Sequence, residues 1–222
     1  GTMIRDRVRV KTPYPLAPSL LVSTLVDLAA ATQEHFDRAS VGFPGLIRGG
    51  IVYATPHYIT ESGPFSPRDP LLFTAWQGFD VRRALEDALG VPTQVLNDAE
   101  IHGMACIEGK GFEIMLTLGT GLGCALFDDG RLLPKIELSQ APFRKGETYD
   151  EQLGHHTRVR VGNRKWSLRV QQAIDGLRPV FWWDRLYVGG GGARHLRVDL
   201  GPDVTLVPNE MGLIGGVRLW DR

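Results

Sequence analysis

The stretch Phe112-Glu113-Ile114-Met115-Leu116-Thr117-Leu118-Gly119-Thr120-Gly121-Leu122-Gly123-Cys124-Ala125-Leu126-Phe127 decides the fold class of this 222-residue chain. A nearly continuous apolar run of strand length ends on glycines and resumes as a second apolar run. Asp128-Asp129-Gly130 then turns the chain tightly into Arg131-Leu132-Leu133. The pattern is a buried strand, a glycine-rich turn, a second strand and a hairpin. On the N-terminal side, Asp80 caps a helix over Val81–Leu89 that Gly90 stops, Thr93–Leu96 is a strand ending on Asn97-Asp98, and a helix runs through Ile101 and Met104 to Gly109-Lys110-Gly111. On the C-terminal side, Trp166–Val180 has helical spacing, Arg185–Val188 is a strand entering Gly189–Gly192, and a strand at 204–207 precedes a helix at 211–220. Strands and helices alternate, so the class is α/β.

The first eighty residues read less regularly. Arg7-Val8-Arg9-Val10 ends a strand-like alternation over 4–10, and Ser19 is the expected N-cap of a helix reaching Ala31. Ser40–Phe43 is a short strand, and Gly49-Gly50 returns the chain into Ile51-Val52-Tyr53 as a hairpin. Residues 55–76 hold Pro56, Pro64, Pro67 and Pro70 and are expected to form a long loop, and 139–165 is polar and irregular.

Composition excludes several classes. Twenty-five Lys+Arg balance twenty-five Asp+Glu, whereas a general nucleic-acid binder carries a strongly basic surplus. With 43% hydrophobic and 23% charged residues the chain has the make-up of an ordinary globular protein. No apolar run approaches the ~20 residues of a membrane span, and the chain does not open on a basic-then-apolar leader. Cys106 and Cys124 are too few for a disulfide framework and stand in no zinc-ligand spacing, so free thiols, a cytoplasmic setting and no zinc are expected. Glycine is the excess: 27 residues, about 12% against the usual ~7%.

The loop at 119–123 allows backbone N–H groups to approach a phosphate without an intervening Cβ. It lacks the Gly-Lys-Ser/Thr of a P-loop and the spacing of a dinucleotide fingerprint, and a strand follows it where those motifs have a helix. It is either a phosphate-cradling hairpin turn or a glycine turn with no ligand. The second loop, Gly189–Gly192, either lets a flat ligand lie on bare backbone or marks a close helix–strand crossing. Asp98 closes a buried strand, the position of a general base in an α/β fold, and equally of a turn or cap.

Taken in order, five segments carry a resemblance: Ser40-Val41-Gly42-Phe43-Pro44-Gly45, Leu96-Asn97-Asp98-Ala99-Glu100, Leu116–Gly123, Ile136-Glu137-Leu138 and Leu186-Tyr187-Val188-Gly189-Gly190-Gly191, with Asn209-Glu210-Met211-Gly212-Leu213-Ile214-Gly215-Gly216 behind them. Over nearly the whole chain they resemble the ROK family of sugar kinases and sugar-responsive regulators in the actin/hexokinase-like superfamily, most of all the subgroup typified by polyphosphate glucokinases. The resemblance implies two RNase-H-like lobes with a cleft between them: residues 1–98 completed by a C-terminal helix at 210–222, and residues 99–209. It implies phosphoryl transfer from ATP or inorganic polyphosphate, with Mg2+, to the 6-hydroxyl of glucose or a related hexose. Asp98 would be the base. Asn97, Glu137, Pro44 and Gly45 would contact the sugar, with a further contact from Asp150 or Glu151. Gly119, Thr120, Gly121 and Gly123 would cradle the donor phosphates, and Gly190 and Gly191 would lie beside the adenosine. Family members are commonly homodimers in the cytoplasm, without membrane or nucleic-acid partners when no DNA-binding domain precedes the kinase portion.

The chain departs from the pattern in three places. The family's first strand–turn–strand, with Asp-x-Gly-Gly-Thr, has no counterpart from Gly1-Thr2-Met3 onward, so the first phosphate loop and its Asp are expected to be missing from the N-terminal lobe. Glu137-Leu138-Ser139-Gln140 stands where the family has Glu-x-Gly-His, which puts the sugar preference in question and supports the rival reading of a non-catalytic sugar sensor. The Cys-x-Cys zinc cluster of many members is absent, as in the polyphosphate subgroup. Apart from the resemblance, Arg158, Arg160, Arg164, Lys165 and Arg169 form a run without an acid: a solvated face, or a track for polyphosphate. His155-His156 read as surface residues, and Trp182-Trp183 as an anchor at a helix end or a subunit contact.

Overall fold

Proline places the first helix. In this computed structural model, which describes residues 6, 8–63, 66–209 and 211–221 (without the side chain of Leu213), α1 (Pro18–Ala31) begins with Pro18 in its first turn, where the missing N–H costs nothing. Ala17 occupies the N-cap position and makes no side-chain cap, so the expected cap at Ser19 lies inside the helix instead. Of the strand expected at 4–10, residues 4, 5 and 7 lie outside the described residues, and Asp6 and Val8–Val10 have no regular structure. The chain divides into two units, one of residues up to Asp98 together with Leu219–Asp221, the other of Ala99–Arg218.

In the first unit, β1 (Ala39–Phe43), β2 (Leu46–Arg48) and β3 (Ile51–Ala54) follow α1. β2 and β3 pair antiparallel around Gly49-Gly50, both at positive φ (58° and 88°), the backbone a tight two-residue return requires. The proline-rich stretch is not loop throughout. α2 (Pro70–Trp76) occupies its end, capped by Asp69, whose Oδ1 accepts from the N–H of Leu71 at 2.8 Å and Leu72 at 3.4 Å. Pro70, one of the four prolines that point to a loop, is the first helical residue and starts the helix. α3 (Val81–Leu89) runs from the Asp80 cap to Gly90 in the left-handed conformation, as the residues predict. β4 (Thr93–Asn97) pairs parallel with β1, with Phe43 opposite Asn97. Leu16, Phe43, Ile47, Val52, Leu72, Trp76, Val81, Leu85 and Val95 form this unit's core, and the buried Trp76 indole donates to the Leu16 carbonyl at 2.8 Å. Trp220 joins the same unit by donating Nε1–H to Ser40 Oγ at 2.9 Å.

The second unit is built on a five-stranded sheet. α4 (Asp98–Cys106) leads to β5 (Phe112–Leu118), β6 (Leu122–Asp128) and β7 (Arg131–Leu132). After a 3-10 turn at Leu138–Gln140 come β8 (Pro142–Arg144), β9 (Glu147–Thr148), α5 (Tyr149–Leu153), α6 (His155–Val161) and α7 (Asn163–Phe181). β10 (Arg185–Gly189), a 3-10 turn at Ala193–His195, β11 (Val204–Leu206) and α8 (Met211–Arg218) complete it. The strand order is β11-β10-β5-β6-β7, parallel across β11, β10 and β5 and antiparallel from β5 to β7. α7 buries Trp166, Val170, Ala173, Ile174 and Leu177, a 3.6-residue stripe, in a core shared with Ile114, Leu116, Leu118, Leu186 and Val188. α8 lies with this unit, Arg218 donating to the Met104 carbonyl at 3.4 Å, while Leu219–Asp221 go with the first.

The region 139–165 is not irregular. Its elements ahead of α7 are seven residues or shorter, too brief for an apolar period to show. Two local signals mark them: Lys145-Gly146 at φ 55° and 76°, a turn between β8 and β9, and the capping box in which Thr148 accepts from Glu151 N–H and Glu151 accepts from Thr148 N–H. The tryptophan pair divides: Trp183 is buried and donates to Asp203 Oδ2 at 2.7 Å, whereas Trp182 is 81% exposed and ends α7 in the left-handed conformation. Among the described residues no helix is long and apolar enough to cross a membrane.

Candidate active site

Asp98 owes its position to the strand before it. Parallel pairing with β1 brings the end of β4 beside the Phe43-Pro44-Gly45 turn, where the buried Asn97 donates its Nδ2–H groups to the Phe43 carbonyl at 3.3 Å and the Gly45 carbonyl at 2.8 Å. Thr55 Oγ1 donates to the Pro44 carbonyl at 3.1 Å, so the same turn is held from two sides. Gly45 has φ +137°, and a Cβ there would lie 2.3 Å from the Ala54 carbonyl oxygen, so no other residue fits. The turn and the strand end are locked together, and Asp98, the next residue, is exposed. It stands close enough to Tyr58 to act on that phenol, which burial first, then Tyr14 and Asp98, push above its ordinary range.

In the second unit the two glycine loops meet. The β5–β6 hairpin turns through Gly119-Thr120-Gly121, closed by Gly119 N–H donating to the Gly121 carbonyl at 2.9 Å, with Gly119 and Thr120 exposed at its tip. The loop after β10 folds back onto its base: Gly192 N–H donates to the Leu118 carbonyl at 2.7 Å, and Gly190, at φ +81°, approaches Leu118 so closely that a Cβ would lie 2.5 Å from that oxygen. Gly191 lies exposed between them. The hairpin tip is anchored as well. Asp150 Oδ1 accepts from Leu122 N–H at 2.8 Å, and His155 N–H, at the start of α6, donates to the carbonyls of Gly119 and Thr120 at 3.0 and 3.1 Å. A Cβ on Gly121 would lie 1.8 Å from Asp150 Oδ1, and one on Gly123 would lie 2.2 Å from Thr117 Oγ1. This is anchored, glycine-rich backbone, the kind of surface on which an anion can lie against N–H groups.

Glu137, half-buried, accepts at Oε1 from the Ser139 hydroxyl at 2.7 Å, and Ser139 Oγ in turn accepts from Gln140 Nε2 at 3.1 Å. Ser139 itself is buried. Lys135 is buried too, donating Nζ–H to the Cys124 carbonyl at 2.8 Å. Glu151 is exposed and its carboxylate is engaged in the capping box, where the Thr148 backbone and side-chain donors hold it below the usual range. Its neighbour Asp150 is the one that reaches a glycine loop. Cys106 and Cys124 are free, and burial pushes their thiols up to about 11 and about 12. Among the described residues no three His, Cys, Asp or Glu side chains converge in a way that could hold a metal ion.

The comparisons with known proteins bear on the whole of this arrangement. The family model described as ROK family matches residues 2–134. The chain belongs to the ROK family. The polyphosphate glucokinase of Mycobacterium tuberculosis is 26% identical over 203 residues, covering 87% of this chain and 71% of that protein. The inorganic polyphosphate/ATP-glucomannokinase of Arthrobacter sp. strain KM superimposes with TM-score 0.78 at 25% identity, over 100% of this chain and 90% of that one. A ROK glucokinase of Streptomyces griseus shares the fold at TM-score 0.67 and 16% identity, over 95% and 89%. Within its family this ROK protein is a sugar kinase, similar to the polyphosphate glucokinases, on an actin/hexokinase-like α/β fold.

The structure of this ROK protein sorts the residues by unit. Pro44, Gly45, Asn97 and Asp98 gather at the end of β4 in the first. Gly119, Thr120, Gly121, Gly123, Gly190 and Gly191 gather around Leu118 in the second, which also holds Glu137 and Glu151. Sequence reasoning missed the Asp150–Leu122 anchor and the Ser139–Glu137 bond. Nothing in the spacing announces the first, whereas Ser139-Gln140 was visible as a departure without its consequence.

Proposed function

We propose that the protein transfers a phosphoryl group from ATP or inorganic polyphosphate to the 6-hydroxyl of glucose or a closely related hexose, with Asp98 as the general base. The observation that carries this reading is the exposed Asp98 carboxylate held at the end of β4 by the Asn97 clamp. Asp98 takes the proton from the hydroxyl as its oxygen attacks the terminal phosphorus. The new O–P bond forms as the bond to the donor's bridging oxygen breaks, and ADP or a shortened polyphosphate leaves. Such a reaction needs positioning and charge stabilisation more than covalent help from the protein. Asn97 and Glu137 orient the sugar hydroxyls, with Pro44 and Gly45 beside them, and the two glycine loops hold the donor. Asp98, an exposed carboxylate, would be the residue to hold magnesium, through the ion's waters so that the carboxylate stays free as the base, and the ion would supply charge neutralisation to the donor phosphates.

Glucose and mannose, each offered with ATP or polyphosphate to the purified full-length protein in a coupled assay, test the reading. Asp98→Asn is expected to lower kcat by ~10²–10⁴, the usual worth of a positioned general base, with sugar binding retained. Unchanged turnover in that variant would remove Asp98 from the mechanism. A second reading, a sugar sensor without turnover, draws on the Ser139–Glu137 bond. It predicts that glucose raises the melting temperature while no donor supports product.

A further inference from the structure

The basic residues of α6 do not form one track. Arg160 points to one side, where it and Arg144 act on Arg169 together with the acid Glu147, and Arg169 donates to Gln152 Oε1 at 2.9 Å. Arg158 belongs to the other side. Its Nη2 lies 3.1 Å from His155 Nδ1, while across from α6, in the turn that follows the second glycine loop, Arg194 Nε donates to His195 Nε2 at 3.3 Å and Arg197 donates to the Arg194 carbonyl.

We propose that His155, Arg158, Arg194, His195 and Arg197 form a cradle for the phosphates of the donor that lie beyond the group being transferred, so that the protein holds a run of phosphates and not only the terminal one. This rests on the reading of the glycine loops as the donor site, and three observations carry it further. The two basic segments are fixed to those loops by backbone bonds: His155 N–H to the carbonyls of Gly119 and Thr120, His195 N–H to the carbonyl of Gly192, and Gly192 N–H to Leu118. The cluster is one-signed. Desolvation and then Arg158, Arg194, Arg197 and His155 hold His195 below the ordinary histidine range, and among the described residues no carboxylate is one of the groups acting on it. Finally, guanidinium groups carry only donors, so here Arg158 meets His155 Nδ1, and Arg194 meets His195 Nε2, as acceptors. A phosphate arriving between the segments gives these two guanidinium groups anionic oxygens in place of imidazole nitrogens. Planar guanidinium forks match such oxygens two at a time.

The test is equilibrium binding by titration calorimetry at low salt, independent of turnover, with tripolyphosphate, long-chain polyphosphate and MgATP as probes. The double variant Arg158→Gln/Arg194→Gln is expected to weaken long-chain polyphosphate about ten-fold or more, the scale of two partly exposed charge-assisted contacts. Arg158→Lys/Arg194→Lys is expected to recover most of that loss, and Arg160→Gln/Arg169→Gln, on the opposite side of α6, to bind within about two-fold of the parent. Added salt is expected to erode the difference, since the Debye length is only ~10 Å at 0.1 M. A loss confined to polyphosphate assigns the cradle to long chains, and an equal loss for MgATP assigns it to the nucleotide's own phosphates. Unchanged affinity in the first variant, with a parental melting temperature, overturns the proposal, as does an equal loss in the opposite-face variant. Absent turnover with this binding pattern intact would sink the proposed reaction and leave the cradle standing.

Discussion

Gly121→Ala offers a test of whether the hairpin tip is built as described. The three atoms nearest to a Cβ at this position all belong to the Asp150 carboxylate, at 1.8, 2.6 and 2.8 Å, and the backbone of Gly121 is not in the left-handed region. The expected damage therefore comes from space alone: the methyl group must push the carboxylate away and break its 2.8 Å bond to Leu122 N–H. A hydrogen bond to a charged group contributes ~1.5–3 kcal/mol, and for this half-buried pair we take about 2 kcal/mol. In a chain of this length that corresponds to a fall of roughly 4–8 °C in melting temperature. Because the tip is the proposed donor cradle, donor KM is expected to rise about ten-fold or more, as small misplacements of positioned groups do, while sugar KM stays put. Asp150→Ala removes both the bond and the obstacle. It is expected to cost a similar amount alone, and adding Gly121→Ala to it to cost close to nothing, a coupling of about 2 kcal/mol in a double-mutant cycle. If Gly121→Ala costs as much in the Asp150→Ala background as in the parent, the collision is not the cause and the anchoring argument fails.

Three further outcomes follow from buried and half-buried groups. Glu113 is fully buried and accepts from the N–H groups of Glu108, Gly109 and Lys110 at 2.7–3.2 Å and from Tyr187 Oη–H at 2.9 Å. Glu113→Gln sets an amide N–H₂ against those donors and is expected to cost about 3 kcal/mol in urea unfolding, and a variant as stable as the parent would refute this clamp. Burial pushes the Asp203 carboxyl up, and hydrogen bonds from Trp183 and Arg178 outweigh it and hold the group below its ordinary value. Its contribution is thus present above the unfolded carboxyl's pKa of ~3.9 and is lost as pH falls through the lower folded value. Asp203→Asn is expected to flatten the acid limb of a stability-against-pH curve, and an unchanged limb counts against the pair. With the Cys106 and Cys124 thiols raised to about 11 and about 12 by burial, disulfide-exchange reagents at pH 8 are expected to label the folded protein far more slowly than a free thiol and to count two thiols promptly in guanidinium.

Elements with strong local grammar were legible in the residues alone: β5 from its unbroken apolar run, α3 from Asp80 and Gly90, and the β2–β3 return from Gly49-Gly50. What escaped was short or double-meaning. Pro70 starts α2 where a proline count suggested only loop, and α5 and α6 are too brief to show a period, though Thr148 and Glu151 spell the capping box. The site divides in the same way. Motifs such as Asn97-Asp98 are contiguous and visible, while the bonds that give them shape join residues 28, 52 or 54 positions apart, as in Leu122–Asp150, Asn97–Gly45 and Asn97–Phe43. Only the fold brings those partners together.

The departure at Ser139-Gln140 acquires a physical meaning from that same kind of closure. Gln140 donates to Ser139 Oγ, leaving the single hydroxyl proton to go to Glu137 Oε1, so the two side chains form a one-way relay ending on the carboxylate. Such a relay fixes how Glu137 is turned and engages one of its oxygens, which leaves Oε2 as the oxygen for a sugar hydroxyl in the proposed site. Its members do not ionise near neutral pH, unlike a histidine in that place. Sugar KM is therefore expected to stay flat between pH 6 and 8. Ser139→Ala should raise it by about three- to ten-fold, the scale of one hydrogen bond of ~1 kcal/mol, without changing the donor KM. A steep pH dependence of sugar KM in the parent, or an indifferent Ser139→Ala, would show that Glu137 meets the sugar by some other arrangement.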